Sequence, residues 1–465
     1  MFPKNRAAFV ISLVLLFSIA FSFVTGFKVG SNQEIQGPTS ISAVVKKKNT
    51  IEGTIKDRYG TVISEATQPG VGGEICHDEA YSYLVGINST KYGTTGLRSR
   101  YFKYLYSHQK KSDRGATLNL TLDANLQEYT YKLLGNHVGS ITVINCQTGE
   151  ILAQASRGSE TYGFNANRVL ADDANAGIND DIMQQYNTID AFFYNRATLA
   201  QDPPGSTFKV ITAASLIENK MEKYTYNDTG RYTKGGNSIG NQNNAVYGKT
   251  DLKKALNYSI NTYFASAGNE LGNSRLQQTA ENFGFNKVIE LDYTTLSSNY
   301  SVRGETDVQG VAQNAFGQGT LMVSPMQMAM VIGAVMNDGT MMQPYLVSSI
   351  TREDGKVLEQ TKSNVLYKSI DKKTAAQLKK YLHSNAEHDL YRMGSDNGYY
   401  AIAKTGTAEV PGNKWHKYLV AGLETNAKNQ YAICIDYANL TNPQVDLKGS
   451  MRTLLEYLSV ADIAV

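Results

Sequence analysis

Three short groups of polar residues in this 465-residue chain have types and spacings suited to acyl-transfer chemistry. The first pairs Ser206 with Lys209, directly after Pro203-Pro204-Gly205 and ahead of an apolar run with helical spacing. Residues three apart share one face of a helix, so Lys209 lies within reach of the serine hydroxyl. A serine becomes a strong nucleophile when a neighbouring base takes its proton, and a lysine is such a base only when neutral. We therefore expect Ser206 to be the nucleophile and Lys209 its base.

The second group places a hydroxyl and an amide two residues apart, at Ser259 and Asn261, in a predicted loop between two helices. Both side chains can face a cleft from such a loop. We expect Ser259 to relay a proton. We expect Asn261 to donate a hydrogen bond to a substrate carbonyl and to hold Lys209.

The third group is Lys404, Thr405, Gly406 and Thr407, which follows the strand-like residues 399–403. On an edge strand beside a cleft, Lys404 binds a carboxylate and adds positive potential next to the first lysine. Gly406 lets the strand approach a substrate closely. The backbone N–H of Thr407 can join that of the nucleophile in an oxyanion hole, which contributes about 10²–10³-fold in rate per donor.

Short motifs that match the first and second groups also occur elsewhere in the chain, and we interpret them differently. The Ser-x-x-Lys spacing also occurs from Ser107 and from Ser369, but neither copy follows Pro-Pro-Gly, and we predict a solvated surface for both. Ser395, Asp396 and Asn397 lie only seven residues before the third group. We interpret them as a turn before a strand, too close to that strand to face it across a cleft.

The amino-acid composition excludes several classes of function for this chain. Lys and Arg number 45 against 42 Asp and Glu, a net charge of +3 that does not indicate nucleic-acid binding. Three cysteines are too few for a disulfide scaffold. Cys146 and Cys434 are predicted to be small core residues, with a cross-strand pair left open. The sequence has no metal or nucleotide motif, so no metal or cofactor is predicted, and His416 is expected to pack in the core or at a cleft rim.

The N-terminal segment differs most from the average composition of the chain. Residues 7–27 are uncharged and strongly apolar, and about 20 such residues span a bilayer. Lys4 and Arg6 precede them, which places the short N-terminus in the cytoplasm and the rest of the chain outside. The alternative is a cleaved signal peptide, whose apolar core is usually shorter, at about 7–15 residues. We expect a single-pass membrane anchor.

The chain divides by composition and pattern into five parts. We predict a cytoplasmic tail at 1–6, the anchor at 7–27, a polar linker at 28–50, a small pedestal domain at 51–118 and a catalytic domain at 119–465.

The catalytic part begins and ends with strand patterns. Hairpins are predicted at 140–155 and 418–436, and helices over 123–134 and 450–464. The residues between the hairpins are mostly helical in pattern. This order predicts an α+β fold, an antiparallel sheet flanked by helices with an inserted all-helical region.

The order of the three groups resembles the active-serine signature of penicillin-binding proteins and serine β-lactamases. Beyond the anchor, nearly all of the chain is similar to the class B penicillin-binding proteins, the monofunctional peptidoglycan transpeptidases. Tyr59 and Arg98, both in the pedestal, depart from the family's usual residues. Further matching segments lie at 57–60, 120–123, 126–127, 149–153, 195–197, 317–319, 324–325 and 337–339.

The resemblance implies the penicillin-binding transpeptidase fold and a serine acyl-enzyme on Ser206. It implies that Ser259, linked to Lys404, protonates the leaving D-Ala amine, and that Lys404, Thr405 and Thr407 bind the terminal carboxylate of a peptidoglycan stem peptide. β-Lactams would acylate the same serine. A membrane glycosyltransferase of the shape–division family would be the partner, contacted through the anchor and pedestal.

Other functions fit the same signature. A β-lactamase, a penicillin sensor and a D,D-carboxypeptidase share the three groups, and a catalytically idle scaffold of the division machinery is the non-enzymatic alternative. A β-lactamase needs a deacylating base, and no convincing Glu-x-x-Leu-Asn segment lies between the second and third groups.

Overall fold

The computed structural model describes residues 49–89, 93–107, 113–158, 164–167, 194–293, 295–304, 306–389, 398–461 and 463. The predicted anchor at 7–27 and the Ser395 turn lie outside these residues. Among the residues that the structure describes, no helix has both the length and the apolar character needed to cross a bilayer.

An antiparallel sheet of five strands forms the centre of the catalytic part, in the order β17-β18-β19-β7-β8. It joins the two predicted hairpins, because β19 pairs with β7. Strand β17 lies at one edge and carries the third sequence group. The strands are β7 (Gly139–Asn145), β8 (Ile151–Arg157), β17 (Tyr400–Val410), β18 (Lys414–Glu424) and β19 (Gln430–Leu440).

Helices cover both faces of this sheet, as predicted for an α+β fold. One face packs against α4 (Ala124–Leu134) and α13 (Leu447–Ala461). The other packs against α11 (Pro325–Met336) and α12 (Lys372–Asp389). Helix α4 begins where the sequence predicted, because the Asp123 side chain accepts a hydrogen bond from the backbone of the helix's first turn.

The region inserted between the hairpins is not all-helical, which corrects the prediction. Two short two-stranded sheets stand beside its helices, because polar Gly- and Asn-rich segments fold into strands and turns. The helices are α5 (Arg196–Leu199), α6 (Lys209–Glu218), α7 (Leu252–Asn257), α8 (Asn261–Leu271), α9 (Asn273–Asn282) and α10 (Val308–Phe316). The strands are β9 (Tyr226–Asp228), β10 (Arg231–Lys234), β11 (Asn237–Gly240) and β12 (Gly248–Thr250).

A second sheet connects the pedestal to the catalytic part, in the order β15-β14-β6-β1-β2-β3. Strand β6 pairs in parallel with β1 and antiparallel with β14, so the predicted boundary at 118/119 falls inside it. The turn predicted at Tyr59 and Gly60 joins β1 to β2. These strands are β1 (Ile55–Lys56), β2 (Val62–Glu65), β3 (Glu74–Ile75), β6 (Thr117–Leu120), β14 (Val347–Thr351) and β15 (Val357–Gln360).

Small elements complete the pedestal and the back of the catalytic part. They are α1 (Asp78–Val85), α2 (Gly96–Arg100), α3 (Phe102–Leu105), β4 (Asn88–Ser89), β5 (Gly93–Thr94), β13 (Thr340–Met342) and β16 (Val365–Lys368).

The pedestal core contains a buried ion pair at one of the two residues that depart from the family's pattern. Arg98 is fully buried, and its Nε lies 2.8 Å from Glu52 Oε1. The same guanidinium donates to the carbonyl of Gly86 at 2.6 Å. The arginine at position 98, which departs from the family's usual residue, therefore changes the interior of the pedestal and not its surface.

The cross-strand pair that the sequence left open for two cysteines does not form. Cys146 and Cys434 are both buried and both free thiols. Burial raises the pKa of each thiol, which makes both unreactive.

Candidate active site

The predicted nucleophile lies in a tight turn at the start of α6. Residues Gly205–Phe208 form one turn of 3-10 helix, and α6 continues directly from Lys209. Thr207 Oγ1 donates a 2.7 Å hydrogen bond to the carbonyl of Pro204, which closes the turn. Ser206 is half-buried here, at the mouth of the helix. The sequence predicted a helix start at this point but not the tighter 3-10 geometry.

Three glycines seat this turn against its neighbours. A Cβ on Gly205, whose φ is +56°, would stand 2.7 Å from the Thr407 carbonyl oxygen. A Cβ on Gly406 would stand 2.5 Å from the Pro204 oxygen, and one on Gly317 would stand 1.7 Å from the Gly205 oxygen. Real Cβ atoms do not approach backbone so closely. The nucleophile turn therefore rests directly on the backbone of edge strand β17, beside Thr407.

Lys209 is fully buried and makes three polar contacts with the second group. Its Nζ lies 2.7 Å from the carbonyl oxygen of Ser259, 2.7 Å from Asn261 Oδ1 and 3.2 Å from Ser259 Oγ. The ring of Phe264 lies on another side, with its centroid 5.4 Å away. The amine is therefore held in a fixed place with little access to water.

Burial and the neighbouring charge of Lys404 lower the pKa of Lys209 well below the ordinary lysine range. Both causes disfavour the ammonium form, since water no longer solvates it and a second cation repels it. A neutral amine has two N–H groups, which the two 2.7 Å bonds would occupy, and one lone pair that can accept a proton. This is the state that a general base requires.

Ser259 connects the two lysines. Lys404 Nζ lies 3.1 Å from Ser259 Oγ, and Lys209 lies on its other side. The backbone of Ser259 is left-handed, with φ at +52°, a conformation that non-glycine residues rarely adopt and that clusters at functional sites. The hydroxyl thus stands where a proton can pass between Lys209, Lys404 and a leaving group.

Asn261 is oriented by the strand next to it. Its Oδ1 faces Lys209, and its Nδ2 donates to the carbonyl of Gly240 at the end of β11. The loop is anchored by Asp228, whose carboxylate accepts hydrogen bonds from Thr262 Oγ1 and Asn241 Nδ2. These hydrogen bonds lower the pKa of Asp228 although burial opposes them. The sequence did not single out Asp228.

The third group lies along edge strand β17 as predicted. Lys404 is fully buried beside Ser259, whereas Thr405 is half-buried and Thr407 is exposed. The two threonines are therefore accessible to a ligand that lies along the strand. The structure thus brings together all eight predicted site residues, and the roles assigned to them remain predictions.

A buried charged cluster next to the nucleophile was missed. Asp202 lies four residues before Ser206, and its carboxylate contacts the guanidinium of Arg196. His416 Nδ1 lies 3.1 Å from Asp202 Oδ1. Asp436 Oδ2 lies 3.7 Å from Arg196 Nε. His416 is buried as predicted, but it also contacts a carboxylate. The 195–197 match and the rim position of His416 were the only signals for this cluster.

The two carboxylates of the cluster titrate in opposite directions. Burial alone would raise the pKa of Asp202, but His416 and Arg196 lower it below its usual range. Burial raises the pKa of Asp436 to about 6, and Arg196 and Ser140 offset this only in part. The difference follows from distance, since Asp202 is in direct contact with both His416 and the guanidinium, whereas Asp436 lies farther from the guanidinium.

The Ser-x-x-Lys copy that starts at Ser369 does not resemble the site. Ser369 is buried and Lys372 is exposed, where its Nζ pairs with Asp338 at 2.9 Å. The predicted solvated surface is therefore right for this lysine and wrong for its serine. In the earlier copy only Ser107 falls among the described residues.

Comparison with known proteins places this geometry in a family. The profile described as "Penicillin binding protein transpeptidase domain" matches residues 139–450, which include all three sequence groups. The peptidoglycan D,D-transpeptidase PbpA of Mycolicibacterium smegmatis is 27% identical over 360 residues, which cover 71% of this chain and 71% of that protein. The peptidoglycan D,D-transpeptidase MrdA of Haemophilus influenzae is 28% identical over 385 residues, 76% of this chain and 56% of that protein.

Solved structures agree on the fold. The D,D-transpeptidase domain of a peptidoglycan glycosyltransferase from Eggerthella lenta matches with a TM-score of 0.77 and 26% identity, over 89% of this chain and 99% of that one. Penicillin-binding protein A of M. tuberculosis, solved as an imipenem acyl-enzyme complex, matches with a TM-score of 0.77 and 21% identity, over 89% and 99%. With its nucleophile turn, its paired lysines and this match over most of its length, the chain belongs to the penicillin-binding protein transpeptidase domain family.

Proposed function

We propose that this chain is a peptidoglycan D,D-transpeptidase that cross-links stem peptides through an acyl-enzyme on Ser206 and that β-lactams acylate the same serine. One observation carries the proposal. The buried amine of Lys209, held by Ser259 and Asn261 and depressed in pKa, stands one helical turn from a serine that rests on the Lys404 strand.

The first half-reaction is acylation. Lys209 takes the Ser206 proton as the oxygen attacks the penultimate D-Ala carbonyl. The N–H groups of Ser206 and Thr407 hold the resulting oxyanion. When the C–N bond breaks, the Ser259 hydroxyl protonates the departing D-Ala amine, and Lys209 passes the proton it took from Ser206 back to Ser259.

The second half-reaction transfers the acyl group. The amine of a neighbouring stem peptide attacks the Ser206 ester and loses a proton to the Lys209–Ser259 pair. The new amide forms as the ester bond breaks, and Lys209 returns the proton to the departing Ser206 Oγ. During the preceding acylation, Lys404, Thr405 and Thr407 bind the terminal carboxylate of the donor, which leaves with the released D-Ala. Water in place of the amine would give hydrolysis, the activity of a carboxypeptidase or a β-lactamase.

Labelling with a fluorescent penicillin tests the nucleophile. The wild-type chain should label, and Ser206→Ala should not. Ser369→Ala is the matched control, since it removes the serine of another Ser-x-x-Lys copy, and it should label normally. Labelling of Ser206→Ala would refute the assignment.

A second assay separates transfer from hydrolysis. The purified chain is incubated with a thioester analogue of the donor stem peptide and a D-amino acid acceptor. A transpeptidase should yield the aminolysis product in proportion to acceptor concentration. Hydrolysis that is unaffected by the acceptor would instead favour a carboxypeptidase or a β-lactamase, and absence of any acylation would favour an idle scaffold.

We also propose that residues 7–27 anchor the chain in the cell membrane, with the catalytic domain outside, and that a membrane glycosyltransferase of the shape–division family is its partner. The apolar run and the preceding Lys4 and Arg6 support the anchor, and the family resemblance supports the partner.

Cell fractionation tests the anchor. The full chain should sediment with membranes and a chain lacking residues 1–27 should not, whereas equal distribution would contradict it. Site-specific crosslinking in the membrane tests the partner.

A further inference from the structure

The charged cluster around Asp202 has no assigned part in the chemistry proposed above, yet it stands immediately before the nucleophile. Its members are Asp202, Arg196, His416 and Asp436. All but Asp202 are buried, and the Asp202 side chain is only 14% exposed. Burying several charges is expensive, and apolar residues of similar volume often stabilise a fold equally well. Stability alone is therefore a poor explanation for this arrangement.

The partners of Asp202 tie its carboxylate to the central sheet. His416 belongs to β18, directly opposite Ala408 of β17. The backbone N–H of Arg196 donates to Ser156 Oγ of β8 at 2.9 Å. Asp436 of β19 in turn accepts a hydrogen bond from Ser140 of β7. The Asp202 carboxylate is thus fixed relative to the same sheet that carries the third sequence group at its edge.

The backbone that leaves Asp202 is short and stiff. Asp202 exchanges two backbone hydrogen bonds with Val323, at 3.1 and 2.9 Å. Pro203 and Pro204 follow, and each proline ring fixes its own φ angle. Gly205 then contacts Thr407. Little freedom is left between the anchored carboxylate and the serine, so a shift of Asp202 would displace the nucleophile turn along β17.

We propose that Asp202 and His416 are positioning residues for acylation. Their 3.1 Å contact holds the 202–206 segment against β17, so that the N–H groups of Ser206 and Thr407 face one acceptor atom. This inference rests on the proposed function, because it concerns the geometry of the same oxyanion hole. Neither residue touches the substrate. The expected signature is a slower acylation step with unchanged binding of the β-lactam before the covalent step.

Stopped-flow acylation of the full chain by a chromogenic β-lactam tests the proposal, because it separates the non-covalent dissociation constant from the acylation rate constant. Asp202→Asn and His416→Gln should each lower the rate constant about tenfold to hundredfold, since misplacement of about 1 Å costs up to 10²-fold. The dissociation constant should stay within twofold. Asp354→Asn is the matched control, because it breaks an Arg–Asp pair with Arg352 on the surface.

The double variant supplies the readout that a purely structural role would not change. If the pair acts as a unit, Asp202→Asn with His416→Gln should acylate about as slowly as the slower single variant. Rate constants within twofold of wild type in the folded single variants, or additive losses in the double variant, would overturn the proposal. If Asp202→Asn does not fold, the rate constant of His416→Gln decides alone. Failure of the wild-type chain to acylate would refute the proposed function instead.

Discussion

Lys209 and Lys404 share a single hydroxyl, since their Nζ atoms lie 3.2 and 3.1 Å from Ser259 Oγ on the two sides of one side chain. Two ammonium groups so close together repel each other, and burial removes the water that would screen them. The arrangement therefore favours one charged and one neutral lysine. Since burial and Lys404 both lower the pKa of Lys209, Lys209 is the neutral member.

The first prediction concerns the pH dependence of acylation. The acylation rate should rise with pH as Lys209 loses its proton. This increase should occur at a pH well below that at which an ordinary lysine titrates. Removing the positive charge in Lys404→Gln removes the repulsion, which raises the pKa of Lys209 and moves the ascending limb to higher pH. The measurement is the acylation rate of a β-lactam as a function of pH.

Lys404→Arg is the control for this experiment, because it keeps the positive charge and should leave the limb near its wild-type position even if the rate falls. A limb at the same pH in Lys404→Gln and wild type would show that Lys404 does not set the protonation of Lys209.

The second prediction separates the hydroxyl of Ser259 from its backbone. Both Ser259→Ala and Ser259→Gly delete the proton relay and should slow acylation about 10²–10⁴-fold. Their stabilities should differ, because the left-handed backbone at φ +52° disfavours any residue with a Cβ. The free energy of unfolding of the glycine variant should exceed that of the alanine variant by about 1 kcal/mol. Urea unfolding measures it, and equal stability would argue against backbone strain at this position.

The third prediction tests the close contact between the nucleophile turn and strand β17. Gly205→Ala places a methyl group 2.7 Å from the Thr407 carbonyl oxygen, so the turn must move off β17. Acylation should fall about hundredfold. Gly412→Ala is the matched control, because Gly412 also has a positive φ, +85°, but its Cβ would meet no atom within 4 Å. It should cost stability without slowing acylation. Equal rates in the two variants would contradict the close approach.

The fourth prediction is a difference in pH dependence of stability at Asp436. Burial raises the pKa of this carboxyl to about 6 from 3.8, so the folded state prefers the protonated form. Its stabilising contribution is present below about pH 4 and is lost as pH rises through 6. The free energy of unfolding of Asp436→Asn, relative to wild type, should therefore rise between pH 4 and 7 by up to about 3 kcal/mol.

Asp354→Asn gives the opposite sign, and at lower pH. Hydrogen bonds from Arg352 and the backbone of Lys356 lower the pKa of this exposed carboxyl, so its contribution grows as pH rises. In a titration extended below pH 4, Asp354→Asn should lose stability relative to wild type as pH rises towards 4, and between pH 4 and 7 its difference from wild type should stay flat. A flat difference for Asp436→Asn would mean that this carboxyl is not perturbed by burial.

The three sequence groups were predictable because each is local. Ser206 and Lys209 are one helical turn apart, and Lys404 and Thr407 lie on one strand, so spacing alone places each pair. That the three groups come together in space was predicted from their order along the chain, because this order resembles a known signature. The hairpins and the N-cap at Asp123 were equally local.

What the sequence did not reveal depends on strand register. His416 faces Asp202 because β18 pairs with β17 in one particular register, and Asp436 reaches the same face through β19. A shift of one residue would turn these side chains to the opposite face. Ser369 was missed as a buried residue for a similar reason, since its backbone N–H donates to the carbonyl of Gly339, which is far away in the sequence.

Strand β6 completes two parts of the molecule at once, and this dictates an order of folding. It pairs with β1 in the pedestal, near the start of the described chain, and with β14, more than two hundred residues later in the sequence. A chain that emerges from its N-terminus cannot close this sheet until β14 is available. Strands β6, β1, β2 and β3 are neighbours without β14, so the pedestal end of the sheet precedes its catalytic edge, which is added as the non-local contacts form. Because β6 belongs to both parts, we expect them to unfold together in one cooperative transition.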